Sequence, residues 1–133
     1  MVWLVSKYFW IDTANFYVVI LISFNTGYTS LGCWKDNSNR AIPTLEGSSS
    51  LLDGTYSRRE DAIQKCYQAA KSLGYGVFAV QAGGWCASSA TAKSTYEKYG
   101  ASKACMPDGK GGGWANHVYE INQGKLLMSI IIS

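Results

Sequence analysis

This chain of 133 residues has two prolines, one histidine, no cysteines spaced as a CxxC pair and no apolar run long enough to cross a bilayer as a helix. Each absence removes a class of function. His117 is the sole imidazole, with no Ser, Cys or carboxylate pattern beside it, so the sequence shows no nucleophile-plus-base pair and no catalytic residue is assigned. The lack of a second histidine also weighs against the commonest small-hydrolase arrangements. Widely spaced cysteines suit a tetrahedral zinc site poorly, because such a site usually draws two ligands from near neighbours in sequence. The net charge of +3 arises from 12 Lys and Arg against 9 Asp and Glu. The cations are scattered, and Arg58-Arg59 faces Glu60-Asp61, which reads as a mixed, solvated surface and not as the basic stripe of a nucleic-acid binder. The glycine-rich stretch Asp108–Gly113 lacks the Gly-x-x-x-x-Gly-Lys spacing of a phosphate loop, and its one acidic residue cannot supply the oxygens that calcium requires. No metal or cofactor is expected, and with no Asn-x-Ser/Thr sequon neither is N-glycosylation.

What the chain does contain is four cysteines, Cys33, Cys66, Cys86 and Cys105, together with five Trp and nine Tyr. Irregular, wide cysteine spacing in a short chain points to disulfides and hence to an oxidising, extracellular setting. Four cysteines allow three connectivities, and spacing does not choose between them. Abundant aromatics with so little acid–base equipment suit a binding module better than an enzyme.

The two ends differ from the middle. Phe16 to Phe24 (FYVVILISF) falls short of the about 20 apolar residues a spanning helix needs, but it has the length of a signal-peptide hydrophobic region. Residues 1–27 are therefore expected to be a degenerate signal peptide or a signal anchor, the latter being the only membrane attachment foreseen. Residues 122–133 form a short apolar tail around Leu126 to Ile132. Its β-branched residues, lacking charge and proline, make it a β-pairing or self-association hazard if exposed.

Between these flanks, residues 28–121 carry one α+β domain. Tyr28 to Lys35 reads as a first strand. From Arg40 to Thr55 the chain is mostly irregular, draped over the surface, with a short extended piece at Ala41-Ile42. Ser57-Arg58-Arg59-Glu60 has the form of a capping box that starts a helix, whose apolar face is Ala62, Ile63, Cys66, Tyr67, Ala69, Ala70 and Leu73 and whose stop is Gly74. Gly76 to Gln81 reads as a buried central strand, and Gly83-Gly84 permits a tight turn before Trp85-Cys86. Thr91 to Tyr99 predicts a second, shorter helix, and Trp114 to Ile121 a closing strand after a flexible glycine loop.

Gly32-Cys33-Trp34-Lys35-Asp36, Arg40-Ala41, the Cys66 helix, Phe78-Ala79-Val80-Gln81 with Gly84-Trp85-Cys86, and Gly113-Trp114-Ala115-Asn116-His117-Val118-Tyr119-Glu120 form a pattern that resembles the WSC domain and its apple (PAN)-like relatives. The resemblance covers about Tyr28 to Ile121. It implies a small disulfide-bonded extracellular module, with a twisted antiparallel sheet packed on one main helix. WSC domains are regarded as carbohydrate binders in cell-surface sensors and secreted proteins. They typically carry eight cysteines, so this chain resembles a four-cysteine variant. The apple-like arrangement, which ties the helix to the central sheet, implies Cys66 with Cys86 and leaves Cys33 with Cys105.

The expected function is secreted or surface-displayed recognition, with a glycan as ligand. The alternative is an extracellular protein partner or self-assembly through exposed aromatics and the apolar ends. Trp34, Trp85 and Trp114 could each stack on a sugar ring or fill the core of a small domain. A sugar site would combine Trp85 or Trp114 with Gln81, Asn116, Asp36 or Arg40, on the loops Gly83–Ser89 and Asp108–Asn116. The competing reading has Asp36 and Arg40 as an internal ion pair that shapes the loop after the first strand, and Gln81 satisfying backbone groups.

Overall fold

The computed structural model describes residues 3–14, 16–123 and 126–132. Seven strands form two separate sheets: β1 (Trp3–Thr13), β2 (Phe16–Thr26), β3 (Tyr28–Lys35), β4 (Val77–Gln81), β5 (Trp85–Ser88), β6 (Ala115–Ile121) and β7 (Leu126–Ile132). The helices are α1 (Ala62–Ser72) and the short α2 (Ala92–Thr95), with 3-10 turns at Ser50–Leu52 and Tyr56–Arg58. The chain divides into two compact units, Thr29–Ile121 and a second made of Met1–Tyr28 with Asn122–Ser133.

In the second unit the apolar flanks are strands. β2 is the centre of a three-stranded sheet ordered β1-β2-β7, antiparallel to both neighbours, with Thr13 opposite Phe16 at one end and Val18 opposite Ile132. The run Val18-Val19-Ile20-Leu21-Ile22 is β-branched-rich and suits a pleated, paired surface. The tail from Leu126 onward is thus paired in sequence register with the run near the N-terminus, a long-range partnership that no local pattern announces. Among the described residues, no helix is long and apolar enough to cross a membrane.

The Thr29–Ile121 unit is α+β, built on a sheet ordered β3-β6-β4-β5. β4 is central and antiparallel to β5 and β6, with Val80 opposite Cys86 and His117, and Phe78 opposite Ser88 and Tyr119. Side chains alternate across the sheet. On one face, Tyr119 stacks on Phe78 with ring centroids 5.2 Å apart, Tyr67 of α1 approaches Phe78 at 6.1 Å, and the Cys66–Cys86 disulfide ties α1 down. On the other, Ile42, Ala79, Trp85 and Val118 form an apolar cluster against which Trp34 and Tyr96 pack. The second disulfide joins Cys33 to Cys105, where residues 100–102 run beside β3 through Lys35 N–H to Gly100 O and Ser102 N–H to Cys33 O.

Several local expectations are corrected. The capping box does not form: Tyr56–Arg58 is a 3-10 turn, and α1 begins at Ala62 behind Asp61, which has a left-handed backbone and no side-chain cap. The cause is Arg59, which is buried instead of solvated. Its guanidinium donates to Glu46 Oε1 and Oε2 (2.7 and 2.8 Å) and to the carbonyls of Gly84 and Leu52 (both 2.6 Å). The backbone at Arg59 is extended (φ −67°, ψ 120°), so no helix runs through from Ser57. At the other end Gly74 does stop α1, with Gly74 N–H bonded to Lys71 O and Tyr75 N–H to Ala70 O, while Leu73 remains exposed.

The segment after Arg40 is not a surface drape. Ala41, Ile42, Leu45 and Leu52 are buried. Its extended portion lies at Pro43–Leu45, alongside β5, through the Thr44–Ala87 bridge and the bonds Ser88 N–H to Pro43 O and Leu45 N–H to Cys86 O. α2 ends after Thr95, earlier than expected, because tight turns carry Tyr96 edge-on to Trp34 at 5.2 Å and Tyr99 Oη to Asn39 O. Nor is the glycine loop slack: a Cβ on Gly111 would sit 2.3 Å from Val80 O, and one on Gly112 2.0 Å from Ala104 O.

Two stability outcomes are expected. Replacing Cys66 and Cys86 together by alanine opens a crosslink with a sequence separation of 20. It should lower the unfolding free energy by about 3 kcal/mol in urea titrations of the oxidised protein. Arg59→Ala, which strands Glu46 without its partner, should cost about 3–5 kcal/mol in the same titration.

Candidate functional site

The Thr29–Ile121 unit carries an open cleft of about 420 Å³ lined by Arg40, Tyr56, Gln81, Ala82, Trp85, Gly113 and Trp114. Three turns, the loop carrying Arg40 and the start of β5 build it. After β4, the Gln81–Gly84 turn closes with Gly84 N–H to Gln81 O, and Ala82 and Gly83 both take positive φ (50° and 88°). A Cβ on Gly84 would lie 2.3 Å from Tyr56 O, so only glycine lets this turn seat against the 3-10 turn that carries Tyr56. Before β6, Gly112 and Ala115 exchange backbone hydrogen bonds around Gly113 and Trp114.

Trp114 stands at the third position of that turn with φ of 53° and is 55 % exposed. Glycine or asparagine ordinarily fills such a position, and a left-handed backbone costs an ordinary residue roughly 1–2 kcal/mol. The backbone is held there by Asp36 N–H, which donates to Trp114 O at 2.9 Å. The fold therefore spends conformational energy to present a large apolar ring to solvent.

Facing Trp114 across the cleft is Trp85, buried in the sheet cluster. The Arg40 guanidinium lies between them, with its carbon 4.2 Å from the Trp85 ring centroid and 4.7 Å from that of Trp114. A cation over two indole rings is held by attraction to both. Below it, the fully buried Asp36 carboxylate collects three donors: Arg40 Nη1 (2.8 Å) and Gln81 Nε2 (3.0 Å) at Oδ2, and Ala41 N–H (2.9 Å) at Oδ1. Gln81 Nε2 also donates to Asn116 Oδ1 at 3.0 Å. Asn116 is wholly buried, and its Nδ2 has no hydrogen-bond partner among the described residues.

All six residues singled out from the sequence as ligand candidates thus converge, in two layers. Arg40, Gln81, Trp85 and Trp114 line the cleft; Asp36 and Asn116 lie beneath and hold it. The ion pair between Asp36 and Arg40 and the satisfaction of polar groups by Gln81 are present, but Gln81 serves side chains and not the backbone. Trp34 belongs to the core, its Nε1–H bonded to Leu31 O at 2.9 Å. Tyr56, Ala82 and Gly113 were not singled out. Gly113 and Ala82 flank named residues and were within reach of loop reasoning, whereas Tyr56 carries no local signal.

His117 gains a hydroxyl neighbour that the sequence did not suggest, with Ser30 Oγ 2.8 Å from Nε2. Neither residue lines the cleft. The ring stacks on Tyr119 at 4.7 Å, and its buried Nδ1 has no hydrogen-bond partner among the described residues. Among the described residues, no group of three or more His, Cys, Asp and Glu is arranged to hold a metal ion.

No protein-family model, curated protein or solved structure matches this chain.

Burial lowers the His117 pKa from its ordinary value of 6.5, with Asp108 opposing the shift more weakly. The fold prefers the neutral ring, so this group's contribution to stability is complete above 6.5 and is lost as the pH falls through the lower folded value. Chemical unfolding across that window should show stability declining with acidification, and His117→Gln should flatten the decline.

Proposed function

We propose that this chain is a secreted or surface-displayed, non-catalytic recognition protein whose Thr29–Ile121 unit is a WSC/apple-like carbohydrate-binding module. The observation that carries the reading is the exposed Trp114 ring, presented on a strained backbone at the rim of a polar-floored cleft. Backbone outliers of this kind persist where the surroundings over-determine them and are concentrated at functional sites.

Sugar recognition asks for an apolar platform for the C–H face of a pyranose and a few fixed polar groups for its hydroxyls. Trp114 supplies the platform. Gln81, Arg40 and Tyr56 supply polar groups at the cleft, and Asp36 and Asn116 keep Gln81 and Arg40 in place. The two disulfides suit an oxidising compartment. They also spare a small domain the need for a larger hydrophobic core, which leaves aromatic side chains available at the surface.

The test is a glycan array probed with the oxidised, mass-verified protein. Saturable binding is expected, and Trp114→Ala should weaken it about tenfold or more without lowering the melting temperature, because the ring is mostly outside the core. If the folded wild-type protein binds no glycan, the reading fails in favour of protein recognition by the same aromatic rim. Equal binding by wild type and Trp114→Ala removes Trp114 from the site.

A further inference from the structure

We infer that the cleft selects an anionic glycan, one bearing a carboxylate or sulfate group that accepts hydrogen bonds from Arg40 while its ring rests on Trp114. This inference rests on the carbohydrate-binding reading and adds the chemical class of the ligand.

The argument starts from charge. Of the residues lining the cleft, Arg40 is the only charged one. Its counter-ion, Asp36, has a side chain with 0 % exposure, whereas the Arg40 side chain is 33 % exposed. The positive partner thus faces the cleft and the negative partner is sealed beneath it. Both Asp36 oxygens already accept bonds from Arg40, Gln81 and Ala41, so the carboxylate has little capacity left for a ligand hydroxyl.

Arginine carries five N–H donors in a rigid planar fork. One Nη1 donor is engaged by Asp36. The guanidinium carbon lies over both indole rings, 4.2 Å and 4.7 Å from their centroids, which leaves the N–H donors not engaged by Asp36 for acceptors in the plane of the fork. That is the geometry with which arginine binds carboxylate and sulfate-like oxyanions. A neutral hydroxyl could accept one such bond, but it would not exploit an oriented cation with a buried counter-charge. The pair is neutral overall, so discrimination comes from these short bonds and not from long-range attraction.

The experiment compares matched ligands on the wild-type protein by calorimetric titration. One pair is an oligogalacturonate and its methyl ester, in which a neutral ester replaces each carboxylate on the same sugar backbone; the other is a sulfated galactan oligosaccharide and its desulfated form. We expect the charged member of at least one pair to bind tenfold or more tightly than its neutral counterpart, and the responding pair identifies the group. Arg40→Lys, which retains the cation and its contact with Asp36 but lacks the fork, should reduce that preference severalfold, with near-ultraviolet circular dichroism verifying the fold. Equal affinity for charged and neutral members overturns the inference while leaving the carbohydrate reading intact. An undiminished preference in folded Arg40→Lys overturns the role of Arg40. Failure of every probe here and on the array overturns the carbohydrate reading, and this inference with it.

Discussion

The Thr29–Ile121 unit hangs on one buried charge pair. Arg59 and Glu46 meet in a two-pronged contact, and each has further obligations: the guanidinium also holds the carbonyls of Leu52 and Gly84, and Glu46 Oε1 accepts the Cys86 amide at 2.9 Å. One ion pair therefore joins the loop before the 3-10 turns, the turn after β4, the start of β5 and the segment leading into α1. A guanidinium can be buried only where nearly all its donors are met. Satisfying Arg59 consequently dictates where these four stretches lie, displaces the start of α1 to Ala62, and brings Tyr56 against the Gly84 turn as a wall of the cleft.

The cleft uses the same physics at its surface. Asp36 is a buried acceptor hub whose three donors come from the loop after β3 and from the end of β4. Its amide additionally fixes the Trp114 carbonyl. A polar network whose members are mostly satisfied is rigid, and it gives the two indoles and the guanidinium a rigid floor. Such preorganisation lowers the ordering cost of binding. The strained turn at Trp114 fits this logic, since a strained display is tolerable only where neighbouring bonds enforce it. Asn116 Nδ2, without a hydrogen-bond partner among the described residues, belongs to this buried layer.

How much of this was legible beforehand varied with the range of the interactions. The strand Tyr28–Lys35, the buried strand ending at Gln81 and the Gly74 stop are written in alternation, apolar runs and glycine placement, which act over a few residues. The ion pair of Asp36 with Arg40 was legible because the two are close in sequence. The capping box failed because a strong local signal at Ser57 and Glu60 competed with a distant one, the Glu46 carboxylate that draws Arg59 inward. The pairing of the apolar ends is illegible for the same reason: neither segment contains the information that β2 pairs with β7.

The sequence by itself determined the α+β class of the middle region, the reliance on disulfides and the shortlist of aromatic and polar residues, since composition, periodicity and cysteine count are properties of the chain before it folds. Only the tertiary structure decided which of those residues share a cleft, that Arg40 lies between Trp85 and Trp114, and that Trp114 is displayed while Trp34 is packed. These outcomes depend on contacts between segments far apart in sequence, whose energies arise only once burial makes every unpaired charge and polar group costly.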